Sequence, residues 1–201
     1  MFMRNVMAAA VVSTAVSSTA SATILIFTDQ FLFDSNTTSY SRSTENFDTY
    51  SGSYASPLTG TAGAVNWSAA SSGGLNVVGG RLAAGASSPM TISFSGSGVS
   101  VYGVSGNFFA TDASSNVVPS LVLVSLNDGT SYLNLIDTAT VFVGFVSTGA
   151  AISSISVSAQ PLSGGNPTVF PTMDNLGLAY VPAPGVIALL GLAGLVARRR
   201  R

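Results

Sequence analysis

The 201-residue sequence contains no cysteine, no histidine and no lysine. The absence of cysteine excludes disulfides, so the fold must be held by its core or by a bound ion. Without histidine and cysteine, the usual zinc ligands, the commonest general base and the thiol nucleophile are missing. Without lysine as well, a P-loop, Schiff-base chemistry and the Ser-His-Asp and Ser-Lys hydrolase mechanisms are excluded.

Charge is also scarce, because charged residues make up only 7% of the chain, against about 25% in an average soluble domain. Five of the seven arginines lie near the two ends, at Arg4 and at 198–201. The stretch between them holds two arginines and all eight acids, which gives it six net negative charges. Such a body is not expected to bind nucleic acid, because phosphate binding requires clustered Lys and Arg.

Residues 1–22 have the pattern of a secretory signal peptide. Arg4 supplies a weakly positive start, Val6–Val16 is apolar, and Ala20-Ser21-Ala22 is the small-x-small sequence that signal peptidase accepts. We therefore expect cleavage after Ala22 and a mature chain that begins at Thr23. The alternative is a buried N-terminal helix; the apolar run is too short for a transmembrane span of about 20 residues.

The body, residues 23–180, is predicted to be all-β. Short β-branched and aromatic runs recur between Gly, Ser and Asn clusters, as in an antiparallel β-sandwich of the jelly-roll or lectin-like kind. Asp128-Gly129 supplies the backbone of a tight hairpin, so Leu121–Leu126 and Tyr132–Ile136 are expected to pair. The rival interpretation is a disordered low-complexity stalk, which the apolar density of 121–157 disfavours. The expected core residues are Ile92, Phe94, Val101, Leu121, Leu123, Phe142 and Ile155.

The C-terminal segment, residues 181–201, has a different pattern. Pro182-Ala183-Pro184-Gly185 is expected to end the β structure, because proline cannot continue a strand ladder. Val186–Ala197 is entirely apolar or small and would span about 18 Å as a helix, less than the ~30 Å hydrocarbon core. A cytoplasmic stop follows, because basic residues stay inside; it consists of Arg198, Arg199, Arg200 and Arg201.

This order of elements resembles the PEP-CTERM sorting signal, also known as the ice-binding protein C-terminal domain. Pro182 and Pro184 match the two prolines of its Pro-Glu-Pro motif, and Ala183 replaces the glutamate. The resemblance covers residues 181–201. It implies a transient inner-membrane anchor, recognised by an exosortase-type protease in a Gram-negative bacterium that makes exopolysaccharide, followed by release to the cell surface or matrix. The alternative is a permanent tail anchor with a short transmembrane helix.

The acids suggest two kinds of site. Glu45 and Asp48 open the predicted domain and Asp174 begins its last strand, and carboxylates are the hard oxygen ligands that calcium prefers. These three residues are the candidate calcium ligands; the alternative is that Asp174 only makes a turn. A glycosidase-type carboxylate pair is the other candidate, with Glu45, the only glutamate, opposite Asp48, Asp112 or Asp174.

The sequence thus predicts a non-enzymatic exported envelope or matrix protein with no required cofactor. Exopolysaccharide is the expected ligand class for the body, and signal peptidase and an exosortase are the expected processing partners. Two alternatives stay open: a carboxylate-dependent polysaccharide-active enzyme, and a purely structural surface adhesin.

Overall fold

The computed structural model of the protein describes residues 23–162 and 168–182. The predicted signal peptide, including Ala20 and Ala22, lies outside the described residues. So do the apolar segment 186–197 and the arginines 198–201. Of the Pro-Ala-Pro-Gly sequence, only Pro182 is described.

Short alternating runs of apolar and small polar residues form two antiparallel sheets that pack against each other as a β-sandwich, so the all-β prediction is confirmed. Sheet A consists, in spatial order, of β1 (Ile24–Phe27), β12 (Phe142–Ser147), β9 (Val99–Thr111), β14 (Phe170–Pro182), β7 (Arg81–Ala84), β6 (Leu75–Val78) and β3 (Gly52–Tyr54), with β2 (Ser41–Glu45) also paired to β14. Sheet B consists of β11 (Ser131–Ile136), β10 (Ser120–Leu126), β13 (Ser154–Pro161), β8 (Met90–Ser95), β5 (Val65–Ala70) and β4 (Leu58–Ala62).

The core lies between the two sheets and is built from side chains that alternate along each strand. Its largest fully buried members include Trp67, Phe108, Phe145, Met90 and Leu82. The predicted hairpin is confirmed, because Leu121 pairs with Leu135 and Ser125 with Ser131 across β10 and β11.

Part of the predicted core is wrong. Ile92, Val101 and Ile155 are buried, but Leu121 is exposed on the outer face of sheet B. The buried apolar residues of β10 are Val122, Val124 and Leu126, so the inward face is one position along from the prediction. Its run of consecutive apolar residues gives no alternation from which to choose the inward face. Phe94, Leu123 and Phe142 are each only partly buried.

One helix, α1 (Gln30–Asn36), interrupts the β structure of a body that the sequence predicted to be all-β. Asp29 caps its N-terminus, since the Asp29 Oδ1 accepts a hydrogen bond of 2.9 Å from the Leu32 backbone N–H. Phe33 is its single buried residue and anchors the helix on the outer face of sheet A.

Strand β14 ends two residues later than the sequence predicted. Val181 and Pro182 continue the ladder with β9, opposite Ser100 and Val99. The body therefore includes the first proline of the predicted sorting motif.

Candidate functional site

A polar cleft of about 680 Å³ opens on the outer face of sheet A. Helix α1 forms one wall and strand β2 the other, over a floor from β9 and β14. The lining residues are Gln30, Phe33, Asp34, Arg42, Ser43, Thr44, Ser105, Asn107, Phe142, Asn175, Gly177 and Leu178. Its volume is typical of small-molecule sites, which occupy about 300–1,000 Å³.

The helical wall depends on glycines in the sheet beneath it. Phe33 lies against Gly144, where an added Cβ would stand 2.5 Å from the Phe33 Cδ2 atom. Gly103 also lies under the helix but is less crowded, with a hypothetical Cβ 3.3 Å from the Thr37 Cγ2 atom and 3.4 Å from the Phe33 Cζ atom. Phe33 also makes an edge-on contact with Phe142, with ring centroids 5.7 Å apart. These glycines bring α1 close enough to the sheet to form a cleft wall.

An ion pair joins the two walls. The Arg42 Nη1 atom on β2 donates to the Asp34 Oδ1 atom on α1 over 2.7 Å. Both side chains are nearly half exposed, so solvent screens the pair and its contribution to stability is small. Because the two charges cancel, the residues that line the cleft carry no net charge.

A β-bulge in the floor displays a pair of amides. The β14–β9 register shifts between Asp174 and Gly177, and Asn175 takes the left-handed conformation with φ of 54°. The Asn175 Nδ2 atom donates to the Asn107 Oδ1 atom over 3.1 Å. Among the described residues, no hydrogen bond engages the Asn107 Nδ2 atom or the Asn175 Oδ1 atom, which leaves one donor and one acceptor in adjacent side chains. Bulges commonly re-aim side chains next to functional sites.

The cleft therefore offers hydroxyls, amides and a compensated ion pair, with one aromatic ring of α1 and one of β12 at its margin. Gly177 keeps the floor open, because a Cβ at this position would collide with the Ser105 Oγ atom. This set of groups can bind a neutral ligand that carries many hydrogen-bonding groups.

The candidate calcium ligands lie at a junction beside the cleft, where β2 and β7 both pair with β14. Glu45 is opposite Leu176, and Asp174 follows the residues that pair with β7. Within residues 23–162 and 168–182, no three Asp, Glu, His or Cys side chains form a group that could hold a metal ion. Calcium binding by Glu45, Asp48 and Asp174 stays a prediction. It requires EDTA to lower the melting temperature and calcium to restore it.

Glu45 has a structural role that the sequence did not reveal. Its Oε1 atom accepts from the Phe47 backbone N–H over 2.9 Å, and its Oε2 atom accepts from the Trp67 Nε1 atom over 3.3 Å. Phe47 has a φ of 56° and is fully buried against Trp67, with ring centroids 5.5 Å apart. Both carboxylate oxygens thus help to fix the corner after β2.

Opposing interactions at this junction act on the pKa of the Asp174 carboxyl. Burial raises the pKa of the Asp174 carboxyl, and the nearby Asp48 carboxylate raises it further. A hydrogen bond of 2.7 Å from the Asn175 backbone N–H and the positive charge of Arg81 act in the opposite direction on that pKa. Asp174 is therefore held in an environment that disfavours its negative charge.

The candidate carboxylate pairs are not all neighbours. Asp112 follows the end of β9, at the level of Phe170, whereas Glu45 pairs at the level of Leu176, six residues and about 20 Å along the same strand. The Asp112 Oδ1 atom accepts backbone N–H bonds of 2.9 Å from Ser114 and Asn116, which makes it a loop-forming residue. These bonds hold the pKa of Asp112 below its ordinary value.

The sequence prediction missed the residues of the cleft. These four residues, Asp34, Arg42, Asn107 and Asn175, lie in separate segments, and no spacing in the sequence links them.

Within the described ranges, no helix has the length and apolar character needed to cross a membrane. No protein-family model, curated protein or solved structure matches the chain.

Proposed function

We propose that the protein is a non-enzymatic, exported envelope or matrix protein whose lectin-like body binds a neutral carbohydrate in the cleft. In this proposal the tail sorts the protein through a transient inner-membrane anchor to the cell surface or matrix. The observation that carries the binding function is the neutral, hydroxyl- and amide-lined cleft beside α1.

A sugar fits the cleft chemistry because each hydroxyl of a sugar both donates and accepts hydrogen bonds. Asn107 and Asn175 present a donor and an acceptor side by side, which suits two neighbouring hydroxyls. The paired Asp34 and Arg42 add an acceptor and donors without net charge. The Phe142 ring supplies an apolar surface for the C–H face of a sugar ring.

Binding is favoured over hydrolysis by the supply of carboxylates. Glycoside hydrolysis by the usual route requires two carboxyl groups that flank the bond to be cleaved. Asp34 is the one carboxylate among the residues that line the cleft, and it is already paired with Arg42. A purely structural adhesin remains the competing proposal, and it predicts no glycan binding.

Binding can be tested with the purified full-length chain and a panel of neutral and acidic oligosaccharides in titration calorimetry. We expect a neutral oligosaccharide to bind without release of product, and Asn107→Ala to weaken binding about five- to tenfold, the loss of about one hydrogen bond. Asn66→Ala is the matched control, because Asn66 is exposed on the outer face of sheet B. An absence of binding across the panel would favour the adhesin, and product formation would favour the enzyme.

The sorting function is supported by the order of elements in residues 181–201 and by the predicted signal peptide. We propose exosortase-type cleavage close to Pro182–Gly185 and signal-peptidase cleavage after Ala22. Mass spectrometry of the mature surface protein tests both sites. Retention of Arg198–Arg201 on protein found outside the inner membrane would contradict sorting, and replacing these arginines with serine is expected to reduce processing without altering the fold of the body.

A further inference from the structure

Both ends of the described chain leave the sandwich at the same pole. The Thr23 carbonyl accepts hydrogen bonds from the Thr148 backbone N–H and Oγ1, over 3.0 and 3.1 Å, at the end of β12. Pro182, the last residue of β14, pairs with Val99, the first of β9. Strands β1 and β14 are three positions apart in sheet A, so the ends are separated by about 14 Å across the sheet.

Sheet B contributes to this pole as well. The Ile152 backbone N–H donates to the Val101 carbonyl over 2.8 Å, and the Asn127 backbone N–H donates to the Ser154 carbonyl over 3.2 Å. These bonds place the β10–β11 turn beside the loop that follows β12. We call the surface made by Thr23, Pro182 and the loops 96–98, 127–129 and 148–151 the terminal pole.

The terminal pole is poor in negative charge. Asp128 is the one acid, of the eight in the sequence, that lies on it. Asp34 is paired with Arg42, which lies at the level of Gly103, four residues from Val99, so the pair adds no net charge near the pole. The other six lie at the level of Asn107 or toward the opposite pole: Asp29, Glu45, Asp48, Asp112, Asp137 and Asp174. An anionic surface would therefore repel this pole least.

Tyrosines stand next to the same pole. The rings of Tyr40 and Tyr102 stack with centroids 5.9 Å apart, near the last residues of β14 and the first of β9, and both are partly exposed. Val181 is 40% exposed at the end of β14. Tyrosine is enriched where proteins meet the headgroup region of a bilayer.

We propose that the terminal pole is the surface that the body presents to the anionic phospholipid bilayer while residues 1–22 or 183–201 are held in it. The inference rests on the proposed export and tail anchoring, and it adds the orientation of the body. Asn107 in the cleft is eight residues along β9 from Val99, about 26 Å from that end of the strand. The cleft therefore stays open to ligand while the chain is still tethered.

The missing cysteines make this orientation measurable, since each introduced cysteine is a unique labelling site. Two matched pairs compare the poles at exposed positions: Ser97→Cys with Ser114→Cys, and Ala151→Cys with Ala113→Cys. The full-length variants are labelled with a fluorescent donor and incorporated into phosphatidylethanolamine–phosphatidylglycerol vesicles that carry a lipid-bound acceptor. We expect efficient energy transfer from positions 97 and 151, and loss of most of it at 113 and 114, because the poles are about 40 Å apart.

Charge supplies a second readout. The double substitution Ser97→Asp and Ala151→Asp should reduce energy transfer from a donor attached through Gly149→Cys in anionic vesicles but not in phosphatidylcholine vesicles. Equal or greater transfer from positions 113 and 114, in a chain that co-sediments with vesicles, would overturn the orientation and leave the anchoring intact. A chain that does not co-sediment at all would overturn the anchoring and the orientation together.

Discussion

The outer faces of the two sheets differ in almost every respect. The outer face of sheet A is covered in part by α1, carries the Asp34–Arg42 ion pair and is shaped by glycines and a bulge. The six strands of sheet B contain no charged residue. One row of hydroxyls crosses four of these strands in register, from Thr59 through Ser68 and Ser93 to Ser154.

This contrast indicates where a binding site can arise in a β-sandwich of this kind. Regular alternation in β4, β5, β8 and β13 of sheet B turns small polar side chains outward. In sheet A, Gly144 lets a helix approach, and the bulge at Asn175 turns an amide into the space beside it. The candidate site is thus a product of the irregular positions.

The largest expected effect comes from the residue that fixes α1. Phe33→Ala removes a buried ring from the outer face of sheet A and should lower the free energy of unfolding by about 3 kcal/mol. Leu133→Ala is the control on the outer face of sheet B, where Leu133 is 61% exposed, and it should cost less than about 0.5 kcal/mol. Urea denaturation of both variants gives the comparison; equal losses would mean that α1 is not anchored by Phe33.

A smaller loss is expected when the sheet beneath the helix gains one methyl group. Gly144→Ala places a Cβ against the Phe33 ring and should cost about 1–3 kcal/mol, because the helix must move away. Ser156→Ala on the outer face of sheet B should be nearly neutral, because no helix or strand of the described residues packs on that face. Thermal unfolding measures both, and an unchanged Gly144→Ala protein would show that α1 does not lie close to β12.

The two faces also differ in how far the sequence predicted them. The hairpin of β10 and β11 was predictable because Asp128-Gly129 encodes a turn locally. The inward face of β10 was not, because Leu121, Val122 and Leu123 are all apolar and only the packing of the sheets selects among them. Likewise, α1 is too short for a 3.6-residue period to be visible.

The cleft was beyond sequence reasoning for a different reason. Asn107 and Asn175 are 68 residues apart and meet only because β9 and β14 pair with a register shift between them. Gly144 has no sequence signal that distinguishes it from the other glycines of a glycine-rich chain. Such long-range contacts are set by topology, which no single segment encodes.

An effect of intermediate size is expected from a substitution that weakens ligand binding but leaves the stability of the fold nearly unchanged. Asn175→Gly keeps the positive φ without strain and removes the amide, so stability should change by less than about 1 kcal/mol while sugar affinity falls about five- to tenfold. Ser115→Gly is the matched control, because Ser115 also has a positive φ, of 64°, but does not line the cleft. Calorimetric titration decides it, and unchanged affinity would remove Asn175 from the site.

The smallest expected effect concerns pH and has opposite signs at two carboxyls. The pKa of Asp174 is raised by burial and by Asp48, so its ionised form destabilises the folded state at neutral pH. Asp174→Asn should therefore raise the melting temperature at pH 7. This gain in melting temperature should shrink as the pH falls through the raised pKa, and disappear below the ordinary value of 3.8, where the carboxyl is protonated in both states.

Asp112→Asn should instead lower the melting temperature at pH 7, because hydrogen bonds from Asn116 and Ser114 stabilise the ionised Asp112 carboxylate and lower its pKa. This decrease in the melting temperature of the Asp112→Asn protein should be present above pH 3.8 and become smaller as the pH falls through the lowered pKa of Asp112.

Calorimetric scans in EDTA from pH 7 to about pH 3 compare the two variants with the unsubstituted chain. Repeating the Asp174→Asn scan with calcium links the result to the predicted ion site, since loss of a calcium ligand would turn the gain into a loss. A gain of the same size at every pH would show that the charge of Asp174 is not its cause.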